Sequence, residues 1–298
     1  MPDALNSPPF PETSMTSTTL PASLSDEALA RESATAQAAI RARRRMIIAL
    51  RLAVLVVTLG GWELAARFKV IDPFFYSMPS QIWAQIVEWV QEGTSQGPLW
   101  QQVLVTLEET VIGFLIGAVA GVVCGILLGR NKLLSDVFSL YIQIANSIPR
   151  VVLGSVFVIA LGLGMASKVA LAVVMVFFVV FGNAFQGVRE ADKYMIANAQ
   201  ILGASPRQVT MSVVIPSAMS WILASLHVSF GFALVGAVVG EFLGAKEGIG
   251  LLIATAQGAF NASGVFAAMI VLAVVALAAD FLLSQLEKRL LKWRPAAF

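Results

Sequence analysis

The side chains able to do chemistry in this chain are few and far apart. One histidine, His227, and one cysteine, Cys124, occur in 298 residues. No H-E-x-x-H, G-x-S-x-G or G-x-x-x-x-G-K-[ST] pattern is present, so the sequence encodes no metalloprotease helix, serine-hydrolase elbow or nucleotide phosphate loop. A lone cysteine in an apolar stretch makes neither an intrachain disulfide nor a thiolate cluster, and Cys124 reads as packing. No catalytic residue, metal or cofactor is expected. What remains is a short set of ionisable groups within or at the ends of apolar runs: Arg150, His227, Glu241 and Asp280. In hydrocarbon such groups cost several kcal/mol unless they pair or face water. His227, among Ser229, Phe230 and Phe232, reads either as a hydrogen-bonded helix-packing residue or as one facing a polar path. Glu241, flanked by Gly240 and Gly244, reads either as lining an outer gate or as an interfacial carboxylate. Asp280 is expected to pair with basic residues near the end of its run. Arg150, after Pro149, is expected to snorkel to the surface.

The elements that must carry these groups are membrane helices. Hydrophobic residues make up 58% of the chain and charged ones 13%, with a mean hydropathy of +0.81, far from the soluble balance of roughly half apolar and a quarter charged. Apolar runs suited to a bilayer core, which takes about 20 helical residues, fall at 46–66, 111–129, 151–163, 169–185, 221–242 and 265–283. The pattern predicts an all-α polytopic membrane protein of about six transmembrane helices. The third run is short, and Pro149 at its start predicts an irregular entry. Arg41, Arg43, Arg44 and Arg45 precede the first run, Arg130 and Lys132 follow the second, Arg189, Lys193 and Arg207 lie between the fourth and fifth, and Lys288, Arg289, Lys292 and Arg294 follow the sixth. Alternating spans put all of these on one side and only Arg67, Lys69, Lys168 and Lys246 on the other. The positive-inside rule then places both termini in the cytoplasm. Topology accounts for the basic residues, so nucleic acid is not an expected partner; the lipid bilayer is.

Residues 1–40, rich in Pro, Ser, Thr and Ala without apolar periodicity, read as a disordered cytoplasmic tail; residues 41–298 form the membrane domain. The first apolar run begins too far into the chain for a cleaved signal peptide, so the first helix is expected to be retained.

Between the fourth and fifth runs lies a polar elbow, about residues 193–216. Gly203-Ala204-Ser205-Pro206 and, further on, Pro216 describe a helix ending at a positive-φ glycine, a tight turn and a second short helix. Permeases of bacterial ATP-binding-cassette importers carry a cytoplasmic loop of the form E-A-A-x3-G-x9-I-x-L-P. Measured back from Gly203, this sequence resembles it in spacing throughout: Ala197-Asn198-Ala199, then Gln200-Ile201-Leu202, Gly203, nine residues, and Val213-Val214-Ile215-Pro216. The glutamate is missing. Glu190-Ala191-Asp192 does not supply it, lying thirteen residues before Gly203 where the pattern requires six. A salt bridge from that glutamate therefore does not carry over, and docking is expected to rest on shape and backbone around residues 203–206.

Pro79-Ser80 with Gln81-Ile82-Trp83, Ser147-Ile148-Pro149, Gly162-Leu163-Gly164 with Ser167-Lys168, Gly240-Glu241-Phe242-Leu243-Gly244, Gly248-Ile249-Gly250 and Leu286-Glu287-Lys288-Arg289 with Trp293 resemble the branch importing nitrate, taurine and aliphatic sulfonates. This resemblance covers residues from about 46 to 298. It implies a type I importer permease fold with a cytoplasmic coupling helix, in a multi-pass protein of the bacterial inner membrane. It also implies a pair of permease copies, two ABC ATPase subunits and a periplasmic or extracellular solute-binding protein. Ala197, Asn198, Ala199, Gly203, Ala204, Ser205, Pro206 and Pro216 would then couple to the ATPase, with Glu241 and His227 as gate or path residues and a small anion as the solute. The chain itself would not be an enzyme. An ion-coupled secondary transporter is the alternative, weakened by the absence of an internal repeat. An intramembrane enzyme would need a second histidine or a carboxylate pair at helical spacing.

Overall fold

The computed structural model describes residues 22–290, and the described residues are almost entirely helical. Contacts divide the chain into two compact units, residues 1–61 and 62–298. Helix α1 runs over Ala22–Arg67. Residues 1–21 lie outside the described residues, but 22–40, expected to be disordered, are helical. The reason is local: alanine recurs at 28, 30, 34, 36, 38 and 39, and alanine is the strongest helix former. Within the first unit, side chains such as Val54, Val56 and Val57 are exposed, as a lipid-facing helix requires.

In the second unit, α2 (Pro73–Tyr76) and α3 (Pro79–Gln91) precede the long helix α4 (Leu99–Arg130). Next come α5 (Lys132–Ser147), a 3-10 turn at Arg150–Val152, α6 (Leu153–Leu161) and α7 (Met165–Arg189). The elbow follows, with α8 (Lys193–Ile201), α9 (Pro206–Val209) and a π turn at Thr210–Val214 leading into α10 (Ile215–Leu243). The last helices are α11 (Ile249–Gly258) and α12 (Ala262–Leu290).

Among the described residues, five helices are long and apolar enough to cross a membrane. The expected third span is half of a bent pair, 132–147 and 150–161, meeting at 74°; counted as one span it brings the total to six. Pro149 enforces the break, because a proline removes one helical hydrogen bond and clashes with the preceding turn. A second difference concerns Pro216. Instead of closing a separate short helix, it lies inside a continuous span, Pro206–Leu243. The π turn absorbs it: the Ile215 amide reaches back to the Thr210 carbonyl, a wider loop that accommodates the residue lacking an N–H.

The core is made by α4, α7 and α10. Gly113, Gly117, Gly121, Gly125 and Gly129 recur every fourth residue along one face of α4 and meet Ala172, Val176, Val180, Ala184 and Val188 of α7 in register. A Cβ on Gly117 would come within 2.8 Å of the Val173 carbonyl, and one on Gly125 within 2.7 Å of Ala184. On α10, Gly236 lies against Ala172 and Gly240 against Lys168. In lipid the hydrophobic effect does not drive helices together, so close backbone approach through small residues is the main source of packing energy.

Candidate functional site

Two polar constructions stand at opposite ends of this core, and the elbow is the first. Asp192 caps α8 by accepting the amides of Tyr194 at 2.8 Å and Met195 at 3.4 Å. The helix ends with the Ala204 amide on the Ala199 carbonyl and the Gly203 amide on the Gln200 carbonyl, both 3.0 Å. This double closure needs a left-handed residue, and Gly203 supplies φ +83°. Two residues on, Ser205 starts the next helix with a capping box: the Gln208 amide donates to Ser205 Oγ and the Ser205 amide to Gln208 Oε1. Pro206 sits in the first turn, where its missing N–H costs nothing.

Burial divides the elbow into two faces. Ile196, Ala199 and Ala204 pack on a cluster formed by Ala184, Val188, Val209, Val214, Ala218 and Ile222, so the inner face is seated on α7 and α10. Outward, Tyr194 is 83%, Ile201 82% and Leu202 86% exposed, and Ala197 and Asn198 are exposed beside them. The residues from Ala197 to Pro206 are brought together; Pro216 is exposed on α10 beyond the π turn.

The second construction surrounds Glu241. The sequence left an interfacial carboxylate open as one reading; the side chain is instead fully buried. Its Oε1 accepts the hydroxyl of Thr106 at 2.7 Å and its Oε2 the Gly250 amide at 2.7 Å. Thr106 Oγ1 also accepts the Ile249 amide at 3.0 Å, and Gln102 Oε1 accepts the Gly248 amide at 2.7 Å. Three consecutive amides at the start of α11, which no helical carbonyl can reach, are thus taken by side chains from α4 and α10. A carboxylate at that point also opposes the positive end of the helix dipole. Gly248 holds φ +114°, and a Cβ there would collide with the Glu241 carboxylate.

Glu109, one turn along α4 from Thr106, is 3% exposed, and its Oε2 has no hydrogen-bond partner. Lys168, counted from sequence among basic residues at the membrane surface, is only 1% exposed; it donates from Nζ to the carbonyls of Leu163 at 2.7 Å and Gly164 at 3.1 Å. Glu109, Thr106 and Gln102 were not singled out by sequence reasoning. The available signal was spacing: 102, 106, 109, 113, 117, 121, 125 and 129 form a single helical stripe, polar at one end and glycine for the rest.

The other ionisable groups lie apart from both. His227 Nε2 is 3.5 Å from Asp280 Oδ1, joining α10 to α12. Asp280 therefore faces a histidine of the neighbouring helix; of the basic residues expected near the end of its run, the Lys288 side chain and residues 291–298 lie outside what the structure describes. Arg150 donates to Asn146 Oδ1 at 2.7 Å and lies 5.0 Å from the centre of the Phe178 ring, held by the bend between α5 and α6. No group of three or more metal-ligating side chains occurs among the described residues.

The comparisons fall on the same region. A model of the family described as binding-protein-dependent transport system inner membrane component matches residues 117–292. A protein of Bacillus subtilis that bears the name aliphatic sulfonates transport permease SsuC is 29% identical over 238 residues, covering 80% of this chain and 85% of that one. The formylaminopyrimidine transport permease ThiX of Halalkalibacterium halodurans is 28% identical over 233 residues, covering 78% of this chain and 91% of its own. Among solved structures, an inward-facing form of the MetNI methionine ABC transporter has TM-score 0.55 and 20% identity, covering 65% of this chain and 94% of that one. The family model and the two sequence relatives bear out the resemblance carried by the elbow and the ordered short motifs. The solved structure shows that the fold expected from sequence, that of an importer permease, is the fold found.

Proposed function

Because the chain belongs to the family of binding-protein-dependent transport system inner membrane components, we propose that it forms the translocation path of an ATP-driven importer, its elbow docking a separate ATPase subunit on the cytoplasmic side. The observation that carries this reading is the two-faced elbow. An inner face seated on two spans and an outer face of exposed Tyr194, Ile201 and Leu202 form a rigid lever with an unfilled apolar contact. A partner that closes on the outer face moves α7 and α10 as bodies. The chain has no phosphate loop of its own, so the energy enters through that contact.

Orientation follows the basic residues. Arg130, Lys132, Arg189 and Lys193 surround a single cavity beside the elbow, which supports placing this end and both termini in the cytoplasm. A symmetric pair of copies supplies a path that so few spans cannot enclose alone, and an external binding protein delivers the solute. The solute class we favour is a small anion of the sulfonate, taurine or nitrate kind. SsuC supports that choice, and ThiX shows that sequences at the same distance carry a heterocycle in their name.

The test uses Leu202→Ser, an exposed change that leaves packing intact. Co-purification of the ATPase and ATP-dependent uptake into vesicles should both fall, while the amount of inserted permease stays constant. Uptake driven by an ion gradient without ATP would replace this reading with a secondary transporter. The mass of the solubilised complex checks the pair of copies, and a thermal-shift screen of the cognate binding protein against small anions and heterocycles identifies the solute.

A further inference from the structure

We propose that the basic cavity behind the elbow is a binding site for the phosphate head group of an anionic phospholipid of the inner leaflet. The inference rests on the orientation given under Proposed function. The cavity measures about 520 Å³ and is lined by Arg130 from the end of α4, Lys132 from the start of α5, Arg189 from the end of α7 and Lys193 from the start of α8. Four cations thus converge from four helices, and no aspartate or glutamate lines the space. The carboxylates that adjoin Arg189 and Lys193 in the chain are turned to other work: Glu190 accepts the Gln186 side-chain amide at 2.8 Å, and Asp192 caps α8. Neither ion pair found among the described residues involves any of the four cations.

Arg189 is already positioned. Its guanidinium lies over the Phe185 ring, 5.6 Å from the centroid, and donates to the buried hydroxyl of Ser135 at 3.4 Å. That leaves the remaining guanidinium N–H groups for the bidentate geometry phosphate favours. Most of the rest of the wall is apolar, with Val188, Ala191, Ile196, Val209 and Val214 beside the polar Ser135, Gln200 and Thr210. A free inorganic phosphate has no use for such a wall, whereas the glycerol backbone and first methylenes of a lipid fit against it. Basic pockets between spans on the cytoplasmic side are recognised sites for acidic head groups.

The position gives the site a consequence. Lys193, Ile196 and Gln200 of α8 form one wall, the side of the elbow helix opposite exposed Tyr194, Ile201 and Leu202. A lipid held there braces the lever from behind, so anionic lipid should raise coupled ATPase turnover as well as bind.

The experiment reconstitutes the permease–ATPase complex in nanodiscs of equimolar phosphatidylglycerol and phosphatidylcholine, or of phosphatidylcholine alone. Retained phosphatidylglycerol is counted by native mass spectrometry, and ATPase rates are measured in parallel. Lys132→Gln and Lys193→Gln are exposed changes that break no hydrogen bond found in the structure; each should lower retention about fivefold, with their combination multiplying, and should abolish stimulation by phosphatidylglycerol. Lys69→Gln, at the other end of the molecule, should retain lipid like the unaltered protein. Unchanged retention in the double variant overturns the proposal. Displacement of the lipid by inorganic phosphate with stimulation preserved also overturns it, making the cavity a free-anion site. Loss of the ATPase subunit from the double variant in both lipids overturns it in favour of an acidic ATPase surface. If the unaltered complex fails to assemble in either lipid, the importer reading itself fails and takes the proposal with it, a result distinct from the other three.

Discussion

The two ends of the helical core solve the same problem in opposite ways. At the elbow, a helix C-terminus and the following N-terminus are closed by groups within a few residues of each other: Ala204 on Ala199, Gly203 on Gln200, and Ser205 with Gln208. At the other end, the first amides of α11 are closed by Gln102 and Thr106, 146 and 143 residues away, and by Glu241 of the preceding span. The turn of the elbow is therefore closed by groups of its own segment. The loop at Gly248 and Gly250 keeps its shape only while α4 and α10 stay in one arrangement. A relative shift of those helices would break three hydrogen bonds together.

The largest expected effect tests the non-local end. Glu241→Ala leaves the buried Gly250 amide unpaired, drops the Thr106 hydroxyl onto the Gln102 carbonyl alone, and opens a cavity where the carboxylate was, which together should destabilise the protein by about 3 kcal/mol. Thermal unfolding in detergent measures it. Glu241→Gln, which keeps the size but removes the charge, should lose less stability yet lower uptake per inserted complex. Unfolding of Glu241→Ala at the unaltered temperature would mean that the loop is held by something other than this network.

A double-mutant cycle sharpens the contrast. Thr106→Val and Glu241→Gln share one hydrogen bond and should be non-additive by about 1 kcal/mol, whereas Glu241→Gln and Gly203→Val should add to within about 0.5 kcal/mol. Additivity in the first pair would dissolve the network. Strong coupling in the second would contradict the independence of the two ends.

The smallest stability effect belongs to Gly203→Val. Nothing lies within 4 Å of a Cβ at Gly203, so the cost is the left-handed backbone alone, roughly 1–2 kcal/mol. Membrane insertion should stay normal while ATP hydrolysis by the partner runs without uptake. Normal uptake in Gly203→Val would show that the elbow tolerates a reshaped turn and would break the comparison at its local end.

The same division governs what could be read in advance. The positive-φ glycine and the first-turn proline were legible at the elbow because each answers a backbone requirement of its own few residues; the Ser205 cap, equally local, was not singled out. The continuation of the helix through Pro216 was not, since the π turn depends on how α10 packs. The alternating basic residues and apolar runs gave the membrane class and most spans; α5 escaped because neither it nor α6 reaches a full span alone. The four-residue glycine spacing from Gly113 to Gly129 is written in the sequence too, and it marks the face of α4 that α7 covers.

Glu109 lies on that same stripe, but Lys168 carried no such mark. It is a single charged residue near the end of an apolar run, indistinguishable by composition from one exposed at the membrane surface. Composition, periodicity and short-range spacing determined the membrane class, the spans and the elbow of this protein, because those features are satisfied by neighbours along the chain. Only the tertiary structure decided that Glu241, Glu109 and Lys168 are buried together and that α11 is anchored by α4, because those contacts join residues that share no local geometry until the helices pack.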